Sequence, residues 1–196
     1  MEVRPWSPKV SSWSICFFDL ENTFPICFFN GASASGDCGC EVSLDIESLL
    51  SFCFRWFSGL GNKCKANMLA LWGALHVAQW LSIDSILIVG DSISTIHWIQ
   101  DYFFFHIPTL LNWRQHILEL MALFSEVSFQ HLYKEKNVKA DALSKHVLSL
   151  FPDYMFFEQI VDGSFEVMDP LCIYDLTLVF LRPSYCLWGG DSCFLP

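Results

Sequence analysis

KANMLALWGAL, Lys65 to Leu75, is the stretch at which the hydrophobic rhythm of this chain changes. Ala66, Leu69, Ala70, Gly73, Val77, Trp80 and Leu81 recur at steps of three and four, the spacing that gathers side chains on one face of an amphipathic helix. Upstream of Gly59 and Gly61 the period is two. Val42, Leu44 and Ile46 alternate with Ser43, Asp45 and Glu47, and Phe52, Phe54 and Trp56 alternate with Cys53, Arg55 and Phe57. Successive side chains of a strand point to opposite faces, so these two segments are predicted as an antiparallel meander leading into the helix. Before them, the apolar run Phe24–Phe29 ends at Asn30 and Gly31. The segment Gly31–Gly39, rich in Gly, Ser and Ala, reads as the turn that follows a strand.

Downstream of the helix, Ser85–Val89 is a compact β-branched run ending at Gly90 and Asp91, which places Asp91 at the carboxyl end of a buried strand. Ser92 is suited to cap the helix that follows. Pro108 opens a long helix with Leu110, Trp113, Ile117, Leu120, Met121 and Phe124 inward, as suits proline in a first helical turn. Val127, Phe129 and His131 alternate as a last strand, and Asn137 caps the last helix. The order is three strands, helix, strand, two helices, strand, helix, and an α/β arrangement with a mixed sheet flanked by helices satisfies it. Residues 1–23 show no clear period and read as a leader of uncertain order. Residues 151–196 read as an acidic, aromatic tail of uncertain order, which leaves 24–150 as the domain.

Composition bounds what the domain does. Of 196 residues, 53% are hydrophobic, with 19 Phe and 8 Trp, so a buried core is expected. No run approaches the roughly 18 to 20 consecutive apolar residues that span a bilayer, and the opening MEVRPWSPK lacks a signal-peptide core. Nine cysteines without regular spacing fit reduced thiols in a cytoplasmic or nuclear chain that is not secreted. Cys38 and Cys40 with Asp37 and Cys64 lack a second pair at zinc-ligand spacing, so apolar or small turn roles are favoured. The formal net charge of −10 argues against a generic nucleic-acid binder. Its distribution softens that objection: residues 24–150 hold eight basic and eleven acidic side chains, whereas 151–196 hold one basic and seven acidic.

Four ordered motifs narrow the reading: FFNGAS at Phe28–Ser33, KANMLALWGAL, VGDS at Val89–Ser92, and HLYKEKNVKADALSK at His131–Lys145. With Trp113 between the third and fourth, residues 24–150 resemble the ribonuclease H domains of plant retrotransposons, which are reverse transcriptase-like. The resemblance implies a ribonuclease H-like fold, a five-stranded mixed sheet flanked by helices. It also implies four carboxylates, one near each motif, holding two Mg2+ (or Mn2+) ions that cut the RNA strand of an RNA·DNA hybrid. In this chain the retained acids at those positions are Asp91 and Asp141, which are the expected metal ligands. Asn30 and Asn67 stand at the replaced carboxylate positions.

Two hard divalent ions close together need several negative charges to offset their repulsion. Replacing two carboxylates takes the site from four negative charges to two, so a loss of several decades in metal affinity or turnover is expected. Substrate reading is altered as well. Lys63 and Cys64 occupy the place where the family carries an Asn pair for the hybrid's minor groove. Recognition then falls to backbone groups at Gly31, Ala32 and Ser33. Lys63, Lys65, Lys134, Lys136 and Lys139 offer phosphate contacts.

Each residue has a plainer role to weigh. Asp91 could be a helix-adjacent cap, and Asp141 a solvated acid facing Lys145 one turn on. His131 could shuttle a proton, but a structural place in the last strand is favoured. The run Tyr102–His106 is favoured as a covered aromatic cluster over a base-stacking surface. Three functions follow: a nucleic-acid-binding ribonuclease H-like domain with its hydrolysis lost or very weak, an active hybrid ribonuclease using amide ligands, and a non-enzymatic remnant that contacts proteins through apolar surface.

Overall fold

The hairpin that carries Asn30 sets the geometry of the whole sheet. In the computed structural model, which describes residues 25–47, 50–100, 108–133, 154–161, 164–167 and 171–172, β1 (Ile26–Ala34) runs on past Asn30 and pairs antiparallel with β2 (Asp37–Glu47). Only Ser35 and Gly36 form the turn, both at positive φ, 53° and 92°, as a two-residue hairpin whose twist matches its strands requires. The turn predicted over Gly31–Gly39 is therefore shorter than expected. The small residues there are strand residues, and Asn30 sits inside a strand with no exposed surface.

β3 (Leu50–Leu60) continues the meander, and α1 (Lys63–Trp80) follows. Next come β4 (Ser85–Gly90), α2 (Ile93–Ile99), α3 (Pro108–Met121) and β5 (Glu126–His131). β1, β4 and β5 are parallel neighbours, so the predicted five-stranded mixed sheet is present in the order β5-β4-β1-β2-β3. It is longer than expected. β6 (Tyr154–Val161) pairs antiparallel with β3, and two short strands, β7 (Ser164–Val167) and β8 (Leu171–Cys172), pair with β6. The eight strands found among the described residues thus include part of the segment beyond residue 150.

The core lies between α1 and one face of the sheet. Cys27 and Phe29 of β1, Val42 and Leu44 of β2, Phe54 and Trp56 of β3, and Ile86 and Ile88 of β4 meet Met68, Leu71 and Leu75 of α1 there. Phe157 of β6 extends it, stacking on Phe54 at 4.8 Å and on Phe52 at 5.8 Å between ring centroids. α1 is buried on more sides than an amphipathic helix, because α3 packs against it as well as the sheet. Trp72 and Trp113 meet edge to face at 5.6 Å across that contact. Leu87, Val89 and Leu132, with Ile26 and Phe28, form a smaller cluster of their own. Among the described residues no helix is long and apolar enough to cross a membrane.

The cysteines are absorbed by this packing. Cys38 and Cys40 donate to the backbone oxygens of Asn62 and Ala66 in the first turn of α1. Burial pushes the Cys40 thiol up to about 12 and raises those of Cys27 and Cys38. Cys27, Cys38, Cys40 and Cys53 are buried thiols, and Cys64 is an exposed one.

Candidate functional site

Three of the four motif positions meet where β1, α1 and β4 converge. Asn62 caps α1, its side-chain oxygen accepting from the Lys65 amide at 3.0 Å, and this sets the helix start against the sheet. A Cβ on Gly31 would lie 2.3 Å from the backbone of Ala66 and Asn67, so only glycine lets β1 approach the helix this closely. In that contact Asn67, 2% exposed, accepts a hydrogen bond from the Gly31 amide through Oδ1 at 2.8 Å. The amide at the second motif therefore clamps the strand that carries the first.

Asp91 follows β4 immediately. Since Phe29 pairs with Gly90 in the parallel register, Asn30 and Asp91 come next on adjacent strands. The Asp91 side chain is only 3% exposed, and its Oδ1 has no hydrogen-bond partner among the described residues. Its Oδ2 lies 3.8 Å from Nζ of Lys63, the first residue of α1. His131 Nε2 lies 3.3 Å from the Asp91 backbone oxygen, and Leu132 donates to the Gly90 oxygen. His131 thus holds the end of β5 to the end of β4, the structural place favoured for it. Ser92 stands at the cap of α2, but its hydroxyl pairs with Thr95 at 2.9 Å and makes no hydrogen bond to the helix backbone.

The expected substrate-side residues form a rim. Ala32 is buried, Ser33 is exposed and donates to the Gly61 oxygen, and Lys63 and Cys64 are exposed at the start of α1. Lys65 donates to the Leu60 oxygen, closing the β3–α1 connection. Asp141, Lys134, Lys136, Lys139, Lys145, Asn137 and the Tyr102–His106 run lie outside the described residues.

Sequence reasoning missed a polar row beside the site. Asn30 pairs in register with Glu41, and Glu41 with Arg55. Both are buried, at 1% and 6% exposure. Arg55 forms an ion pair with Glu158 of β6, and Cys53 donates to Glu41 Oε1 at 3.6 Å. The only signal was Arg55, the one charged residue of β3, which alternation assigns to the face opposite Phe52, Phe54 and Trp56.

The three described positions do not by themselves fit a two-magnesium centre. The three described positions supply one carboxylate, which faces a lysine, and two amides, one with its oxygen committed to Gly31. Among the described residues no group of three or more His, Cys, Asp or Glu side chains is placed to hold a metal ion.

A parallel β1-β4-β5 core extended by an antiparallel meander, with α1 crossing it, defines a ribonuclease H-like domain. Solved structures agree on the fold. The ribonuclease H1 of the archaeon Halobacterium salinarum superposes with a TM-score of 0.58 at 24% identity, covering 63% of this chain and 96% of that one. The N-terminal ribonuclease H domain of a Mycobacterium tuberculosis protein gives 0.58 at 16% identity, over 65% and 94%. LC11 ribonuclease H1, isolated from compost and solved with an RNA/DNA hybrid, gives 0.58 at 20% identity, over 63% and 96%. A family model described as reverse transcriptase-like matches residues 44–147, just over half of the sequence, and the chain belongs to that family. No curated protein sequence matches it.

Proposed function

We propose that this is a retroelement-derived ribonuclease H-like domain that binds nucleic acid, and whose ancestral reaction, two-metal hydrolysis of RNA in RNA·DNA hybrids, is lost or very weak. The observation that carries this reading is the hydrogen bond from the Gly31 amide to Asn67 Oδ1. An asparagine there supports the fold at the position where the resemblance implies a metal-binding glutamate: it brings no negative charge, and one lone pair of its amide oxygen is engaged by the Gly31 amide. Beside it, Asn30 offers at most an amide oxygen and Asp91 already faces a cation. Binding is then a matter of shape, of backbone groups along Gly31–Ser33, and of the few lysines at the rim.

The test is a filter-binding titration of the full chain against a labelled RNA·DNA hybrid at low salt, with a cleavage assay in Mg2+ and Mn2+ alongside. Salt-sensitive hybrid binding with a log–log slope no steeper than about −5, matching at most five lysines, is expected. Cleavage is expected to be at or near background in the unmodified chain and to rise by orders of magnitude in Asn30→Asp/Asn67→Glu. Binding that is absent at low salt would overturn the nucleic-acid assignment. Brisk cleavage unchanged by the two substitutions would establish an active enzyme with amide ligands.

A further inference from the structure

The geometry points to the Lys63 ammonium as the resident cation of this site: it neutralises Asp91 from within the chain and so closes the inherited position to a divalent ion. The inference rests on reading Asp91 as the inherited ligand position, and it adds how that position is kept out of use.

A carboxylate as buried as that of Asp91 needs a compensating charge close by. Lys63 Nζ stands 3.8 Å from Oδ2, and no other lysine or arginine within ion-pair distance of Asp91 appears among the described residues. The lysine's position is set by the fold. It is the first residue of α1, next to the Asn62 cap, and the same helix turn is clamped to β1 by Asn67 and by the close approach at Gly31. Asp91 is tied to β5 by the 3.3 Å contact of His131 Nε2 with its backbone oxygen. Its second oxygen, Oδ1, is buried and without a hydrogen-bond partner among the described residues, so Lys63 is the cation that the described residues offer this carboxylate.

Charge decides which cation wins. Of the described family positions only Asp91 is anionic, and pairing with Lys63 brings the pair to zero. A divalent ion arriving there would meet no net negative charge from the pair and a fixed ammonium close by, so it is repelled unless the lysine swings out. Lys63 is half exposed, so its head can be removed by substitution without opening the core. Losing the lysine should therefore re-create a weak divalent site on Asp91, and losing both groups should abolish it.

The experiment is a thermal-melt titration with Mn2+ on the full chain, on Lys63→Gln and on Lys63→Gln/Asp91→Asn. The unmodified chain is expected to melt at the same temperature at every Mn2+ concentration. Lys63→Gln should show a saturable rise corresponding to at least tenfold tighter Mn2+ binding, and the double variant should be flat. Equal rises in the unmodified chain and Lys63→Gln, no rise in Lys63→Gln, or a rise that persists in the double variant would each overturn the proposal. A metal-free double-mutant cycle supplies an independent reading, since Asp91→Asn should cancel most of the destabilisation caused by Lys63→Gln, whereas additive effects overturn the pairing. Hybrid binding measured on the same preparations separates the two readings. Its absence would remove the nucleic-acid function and leave the cation result standing.

Discussion

The corner where β1, α1 and β4 meet and the row that crosses β2, β3 and β6 treat buried charge in opposite ways, although they share an edge at Asn30. In the corner two positions carry amides, and the one described carboxylate sits beside a lysine. In the row, Glu41 and Glu158 keep their carboxylates, and Arg55 from the strand between them stays buried with them. An ion held entirely by protein has its counter-charge built in and survives as long as the strands stay in register. Carboxylates that depend on an external divalent ion repel one another when that ion is absent, and an asparagine relieves the repulsion while keeping shape and hydrogen bonding. As it stands, the described part of the corner needs no external ion to balance its charge.

The largest effect should come from breaking the row. Arg55→Met leaves Glu158 without its cation, and a loss of about 3–5 kcal/mol is expected from chemical denaturation midpoints, as for other buried pairs stripped of one partner. Adding Glu158→Met should recover a large part of it. A loss below about 1 kcal/mol, the scale of a solvated surface pair, would mean that the row is hydrated and the contrast with the corner is one of position only.

The corner should respond less, and through a hydrogen bond instead of a charge. Asn67→Ala removes the acceptor of the Gly31 amide inside a tight strand–helix contact, with an expected cost of about 1–3 kcal/mol. Hydrogen exchange makes the claim specific: the Gly31 amide should lose protection by roughly 5- to 150-fold relative to its neighbours on β1. Uniform loss along β1 would show that Asn67 supports general packing and is not a clamp.

Much of this was legible in residue order, and the parts that were not share a cause. Period two identified the alternating residues of β2 and β3, and the SILIVGD run placed Asp91 at the end of β4 as found. Alternation says which residues share a face but not what covers that face. Arg55 therefore read as an outward residue and is in fact buried. The same limit applies to α1, whose one apolar stripe gave no sign that α3 would cover its flank. The hairpin was misjudged because small residues favour turns, yet here Gly31 is small so that β1 can pass under α1. β6 lies in the segment read as a tail of uncertain order, because its pairing with β3 depends on contacts distant in sequence.

His76 offers a third way to bury a titratable group and so sharpens the comparison. Arg55 cannot discard its charge and is paired, and Asp91 is matched by Lys63, but an imidazole can simply stay neutral. Its ring meets Trp72 edge to face at 4.2 Å on the side of α1 that faces α3, and burial pushes its pKa down to about 4. The unfolded chain, with an ordinary value near 6.5, then binds a proton that the folded chain refuses. This contribution to stability is complete above about pH 6.5 and is lost as pH falls toward 4. With a discount for the ring's partial exposure, a loss on the order of 1 kcal/mol between pH 7 and pH 5 is expected. His76→Phe keeps the aromatic contact and should flatten the stability profile across that window while leaving the effect of Arg55→Met unchanged. An unaltered slope would assign the acid sensitivity to the charged groups of the row and the corner, and the neutral alternative would no longer separate His76 from them.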